Sequence, residues 1–83
     1  MTFKEKYLLA KLNEMEEFCR GDEISRRIAK IYPLSAQVAL LMDKDSKPEE
    51  FAKYQAFREA VKAKVDAEIS EIESGNFAAI KTN

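Results

Sequence analysis

"IAKIYPLSAQVALLMDKD", residues 28–45, decides how this chain folds. Ile28 and Ala29 belong to one helical pattern, Pro33 interrupts it, and Leu34-Ser35 opens another. The residue before a proline avoids helical geometry, so a helix arriving at Tyr32 must stop there. Helix, short turn, helix is also the order of a DNA-reading helix-turn-helix. Two details depart from that pattern: Pro33 stands where such a turn favours glycine, and the apolar Val38 comes one place early. The second helix reads Ala36-Gln37-Val38-Ala39-Leu40-Leu41-Met42. A recognition helix needs side chains that reach base edges, and Gln37 alone qualifies here. A helix that is apolar nearly all round is what a buried helix looks like. The stretch therefore predicts a bent pair of core helices, with Ser35 capping the second and Val38, Leu41 and Met42 facing inward.

Upstream, Thr2 and Glu5 form a capping box, Thr-x-x-Glu, that starts a first helix. Phe3, Leu8, Leu12, Met15 and Cys19 recur along it at helical spacing, with Tyr7 and Phe18 alongside. Gly21 is placed to end this helix, and Asp22 to cap the next, whose apolar positions are Ile24, Ile28 and Ile31.

Downstream, Asp43 to Lys47 reads as a polar loop. Ser46 and Glu49 make a second capping box, with Pro48 in the first turn, where its missing N–H does no harm. Glu49 and Lys53 are an i,i+4 pair in the favoured order. A long helix follows, with Phe51 at its start and an apolar stripe of Tyr54, Phe57, Val61, Val65, Ile69 and Ile72. If Gly75 ends it, this helix approaches about 40 Å at ~1.5 Å per residue. That is more than a compact domain of this size needs, so the stripe is the candidate interface, and a charge at Val65 should dissociate an assembly while leaving most helicity. The expected organisation is one helical domain over residues 1–75 and a tail over 76–83, whose Phe77 and Ile80 dock on a neighbour or move freely. The fold class is all-α: a small bundle or hairpin of three to four helices, with one long C-terminal helix antiparallel to the first.

Composition narrows the chemistry. The 83 residues give room for one small domain, with a marginal core. A single cysteine, Cys19, excludes an internal disulfide, and with no histidine there is no zinc ligand set. Tight packing or association remains as the staple. The 14 basic and 15 acidic residues are spread evenly, with no basic arm or acidic tail. A duplex-binding protein normally advertises a basic face. The longest apolar run, Val38 to Met42, is far too short for a membrane span. A soluble, cytoplasmic protein without cofactor or metal is expected.

Other candidates reduce to plainer readings. Asp43-Lys44-Asp45 begins like a calcium loop, but Pro48 takes the place of the required glycine and Tyr54 that of the final glutamate. Glu14, Glu16 and Glu17 read as a solvated face, and Cys19 as a buried thiol with no base beside it. Arg26, Arg27 and Lys30 form a basic cluster one turn from Asp22 and Glu23, and pairing within the chain is expected. Phe51, Tyr54 and Phe57 lack basic interleaving and read as core or subunit interface rather than base-stacking residues.

The run Ile28 to Ala39, with its Tyr32-Pro33-Leu34-Ser35 start, then Lys47-Pro48-Glu49-Glu50-Phe51, Tyr54, Phe57, Val61 and Lys62, resembles short helical proteins encoded among phage and prophage structural genes. The likeness spans roughly residues 24–70. It implies an accessory role in a particle or its assembly and carries over no functional residue. Taken together, the sequence predicts a non-catalytic protein-interaction or assembly module, homo-oligomeric or bound to another protein. The alternative is a small helix-turn-helix regulator presenting Arg26, Arg27, Lys30 and Gln37 to DNA. Without histidine or glycine loops, the common nucleophile, base and phosphate-cradle schemes of an enzyme are missing.

Overall fold

A computed structural model describes residues 1–82, with side chains described for residues 1–75. Four helices follow in order: α1 (Phe3–Leu12), α2 (Glu16–Ile31), α3 (Leu34–Met42) and α4 (Pro48–Thr82). The all-α bundle with a long last helix is as the sequence predicts, but four helix boundaries fall elsewhere.

The capping box forms. The Thr2 hydroxyl accepts from the Glu5 amide, and the Thr2 amide donates to the Glu5 carboxylate, both at 3.2 Å. The Thr2 amide, and after it the Thr2 hydroxyl donating to the same oxygen, hold the Glu5 carboxyl below its ordinary pKa. The helix then stops after Leu12, not at Gly21. Glu14 takes a left-handed φ of 56°. The Met15 amide donates to the Ala10 carbonyl at 2.7 Å and the Glu14 amide to Lys11 at 3.2 Å. This pair of bonds is a Schellman ending, which satisfies the last carbonyls of a helix and usually recruits glycine. Here a glutamate occupies the left-handed position, so the sequence signal is absent. Gly21 lies in the interior of α2, without positive φ, and Asp22 caps nothing.

Helix α2 ends as expected before Pro33, with Tyr32 extended. Pro33 itself, and not Ser35, stands at the start of α3, where no side chain caps the helix. The next connection turns on one carbonyl: Asp43 accepts from the Ser46 amide and hydroxyl and from the Lys47 amide. The Ser46 hydroxyl therefore serves the turn. Helix α4 runs straight through Gly75 to Thr82, so a break at 75 is not seen, and its 35 residues measure about 52 Å. The expected docking of Phe77 and Ile80 falls outside the described side chains.

Helices α2 and α4 are antiparallel. Tyr32 meets Tyr54 and Phe57, while Arg20 meets Asp66 one seam-length away. The core between them is Ile24, Ile28, Tyr54, Val61 and Val65, flanked by half-buried Phe51, Phe57 and Ile69. Helix α1 folds back on α2, bringing Phe3 under the Arg27 guanidinium at 5.5 Å. It therefore runs in the same sense as α4, and α2 takes the antiparallel role that the sequence assigns to α1. Tyr7 and Ile72 are buried where α1 meets α4.

A candidate interaction surface

The stripe offered as an interface is spent inside the chain. Val65 is 0% exposed, and Tyr54, Val61 and Ile72 are buried as well. Phe57 and Ile69 pack against the same cluster. A charge at Val65 would thus strike the chain's own core before any contact between chains. The spacing of these residues located a buried seam correctly; it could not say which helix lies across it.

Charged pairs bridge the seam between α2 and α4. Arg27 donates to both Glu68 oxygens, at 2.6 and 2.9 Å, and to Glu23 at 2.7 Å. The bidentate bond to Glu68 raises the Arg27 pKa, and reciprocally holds Glu68 below the usual carboxylate range. Arg20 grips Asp66 in the same two-pronged way, at 2.6 and 3.1 Å. Arg26 pairs with Asp22 at 2.8 Å. Of the basic cluster on α2, Arg26 and Arg27 are internally paired, as their neighbours in sequence suggest. The partners on α4, forty or more positions away, carry no signal in a single sequence.

At the α1 corner, the Tyr7 hydroxyl donates to Glu73 at 2.7 Å, and the Lys11 ammonium to the same oxygen at 3.0 Å. Burial first, then the bond to Glu73, pushes the Tyr7 hydroxyl pKa far up. Cys19 sits half-buried on α2. Burial and the nearby Glu23 and Asp22 raise its thiol pKa, which leaves little nucleophilic thiolate. Among the described residues, no group of three or more His, Cys, Asp or Glu is placed to hold a metal ion, and no helix is long and apolar enough to cross a membrane. A surface depression lined by Phe3, Lys4, Glu68, Glu71 and Ile72 lies between α1 and α4.

Helix α3 is the surprise. No residue of it is fully buried. Leu34, Val38, Leu41 and Met42, at spacings of four, three and one, share a single face, and they are between 47% (Val38) and 80% (Met42) exposed. Ile31 from the end of α2 is exposed beside them in sequence. The inner face carries Leu40, packed on the core, and Gln37. The Gln37 amide donates to the Tyr32 carbonyl at 2.7 Å and accepts from the Tyr54 hydroxyl at 2.6 Å. The inward Val38, Leu41 and Met42 of the sequence reading are thus corrected: a helix apolar all round has no sequence mark for its inner side, and Gln37 chooses it.

Around the α1–α2 turn in sequence, Leu9, Leu12, Met15 and Phe18 are also exposed, between 48% (Leu9) and 83% (Leu12). Lone exposed leucines are ordinary, but apolar groups gathered on one face mark contact surfaces. No family model matches the chain, and no curated protein or solved structure is significantly similar to it.

Proposed function

We propose that this chain is a non-catalytic protein-interaction or assembly module whose contact surface is the outer face of α3. The observation that carries this reading is the inversion of α3: its polar Gln37 is turned in and tied, while Leu34, Val38, Leu41 and Met42 are turned out. A nine-residue helix held by a few inner contacts gains stability when its apolar face is covered. The likeness of residues 24–70 to phage and prophage structural-gene products agrees with an assembly role. A cytoplasmic setting belongs to the same proposal.

A helix-turn-helix regulator has one observation in its favour, the pair α2 and α3 joined across Tyr32–Pro33. Three of its four reading residues are engaged elsewhere: Arg26 with Asp22, Arg27 with Glu23 and Glu68, and Gln37 with Tyr32 and Tyr54. Salt-dependent binding to duplex DNA would favour that reading over the first.

The test of the assembly reading is the size at which the chain elutes from an extract of its native host. The wild type should run in a species larger than the lone 9.5 kDa chain, and Met42→Glu should run as the lone chain with its helicity intact. Elution of both as the lone chain would sink the reading.

A further inference from the structure

We infer that residues 33–47 form a switch segment: α3 is helical only while it is docked on α4, and the segment alternates between that docked helix and a melted loop while α1, α2 and α4 stay folded. Three observations carry the inference. The first is that α3 has little helical stability of its own. It is nine residues long, and a helix that short is not stable alone in water. No side chain caps its N-terminus, its first turn has no acidic residue and its last turn no basic one. Its sequence, LSAQVALLM, holds no charged side chain, so no i,i+4 ion pair supports it. Helix α1 is nearly as short, at ten residues, but has what α3 lacks: the capping box, Glu5 in the first turn and Lys11 in the last.

The second observation is how slight the docking is. No residue of α3 is fully buried. Leu40 packs against the core cluster, and among the described residues of α3 Gln37 alone has a side-chain hydrogen bond. Undocking gives up the Leu40 contact and the two Gln37 bonds, and with them the support that keeps the nine residues helical. Undocking and melting are therefore one event.

The third is that the body does not need α3. The cluster of Ile24, Ile28, Tyr54, Val61 and Val65 contains no residue of α3. Both ends of the segment are held from outside it. The Tyr32 ring packs on Tyr54 and Phe57, with centroids 5.0 and 5.4 Å apart, and the Phe51 ring stands 6.4 Å from Tyr54. Melting returns chain entropy to a stretch whose two ends stay in place. It also leaves the Tyr54 hydroxyl to water. A protein that grips the docked helix and not the melted loop draws the segment shut, so contact at α3 is coupled to its folding.

The experiment is amide hydrogen exchange on the purified full chain, followed by NMR at increasing sub-denaturing urea. It reads the lone chain, so its failure leaves the assembly reading, tested by elution, untouched. The helical amides run from Gln37, bonded to Pro33, to Asp43, bonded to Ala39. They should exchange through one common opening, more than about tenfold more populated than the opening at Ile24, Ile28, Val61 and Val65, and with a weaker urea dependence, because little surface is exposed. Leu40→Ala weakens the docking and should raise exchange at all the α3 amides by one common factor, roughly tenfold for a half-buried leucine. Ala39→Gly, at an exposed position, lowers only helix propensity and should raise it at all of them by roughly fivefold. Neither variant should move the α2 or α4 core amides. Protection and urea dependence in α3 equal to those at Val65 would mean that α3 opens only with the whole domain, and would overturn the inference. So would an Ala39→Gly effect confined to its neighbouring amides, the mark of a helix that undocks intact, and so would α3 amides with no protection at all, the mark of a segment that never docks.

Discussion

Helix α3 and the α2–α4 seam are built from the same residue types, yet one faces water and the other does not. The seam alternates: Ile24 and Ile28 on α2, and Val61 and Val65 on α4, recur one turn apart with charged residues between them. Each of those helices has one side that can be buried and one that cannot, so the two sides sort themselves. Helix α3 has no such contrast, and its orientation is settled by Gln37, bonded to a backbone carbonyl and to Tyr54. Apolar content alone does not place a helix inside; contrast between its faces does.

The sharpest way to break the comparison is to put one charge into each region. Val65→Asp buries a carboxylate with no partner in sight and should cost more than about 4 kcal/mol, enough to unfold a domain this small. Val38→Asp should stay within about 0.5 kcal/mol of wild type, as surface changes do. Thermal melts followed by circular dichroism decide it. Equal losses at both sites would mean that α3 is as buried as the seam.

A smaller effect is expected where the two regions meet. Tyr54→Phe removes the hydroxyl that holds Gln37 and should cost about 1 kcal/mol, because half-buried Gln37 can turn to water. The loss should be local. Amide exchange in α3 should speed up well before exchange at Ile24, Ile28 or Val61. If all four helices speed up together, Gln37 does not act as the latch of α3.

The charged flanks of the seam give a pH signature that α3 lacks. Glu68 and Asp66 have pKa values lowered by their bonds to Arg27 and Arg20, and Glu73 by Tyr7 and Lys11. A carboxylate with a depressed folded pKa stabilises the fold above its unfolded value and loses that contribution as pH falls through the folded one. Stability should thus be flat above about pH 5 and decline below the ordinary values of 4.5 for Glu and 3.8 for Asp. These groups are a third to a half exposed, so the slope is shallow and weakens in salt. Tyr7 acts at the other end: its raised pKa keeps it protonated when the unfolded chain ionises, so stability falls as pH climbs past the ordinary 10. Tyr7→Phe should lower stability near neutrality and reduce that alkaline slope, leaving the part that the raised Cys19 thiol contributes; an unchanged slope would place its origin elsewhere.

What the sequence made legible follows the same division. Thr2 with Glu5, the stop before Pro33, and the stripe from Tyr54 to Ile72 are local patterns with one physical meaning each, and the structure has all three. The candidate surface was not legible. Its residues are named in the sequence reading, but as core, because nothing in residues 34–42 says that Tyr54 will reach Gln37 across seventeen positions. The turn between α1 and α2 was hidden for a different reason: the helix end at Glu14 is made by backbone bonds that any residue able to bear a left-handed φ permits, and the visible glycine lies seven positions later.

That misplacement yields the smallest effects and the most diagnostic signs. Glu14 holds a left-handed φ of 56° that glycine adopts freely, so Glu14→Gly should relieve strain and gain up to about 1 kcal/mol, less the entropy that glycine adds to the unfolded chain. Gly21 lies in the middle of α2, exposed, with nothing within 4 Å of where a Cβ would stand. Alanine there should gain roughly 0.5–1 kcal/mol from helix propensity, a rise of several degrees in Tm for a domain this size. The sign separates two structures. Were Gly21 the left-handed end of a first helix, alanine would be strained and would lose a similar amount, and Glu14→Gly, now inside a helix, would lose too. Two gains place the turn between the first two helices at Glu14, where the left-handed φ stands; two losses would move the break to Gly21 and make residues 12–18 an ordinary stretch of helix.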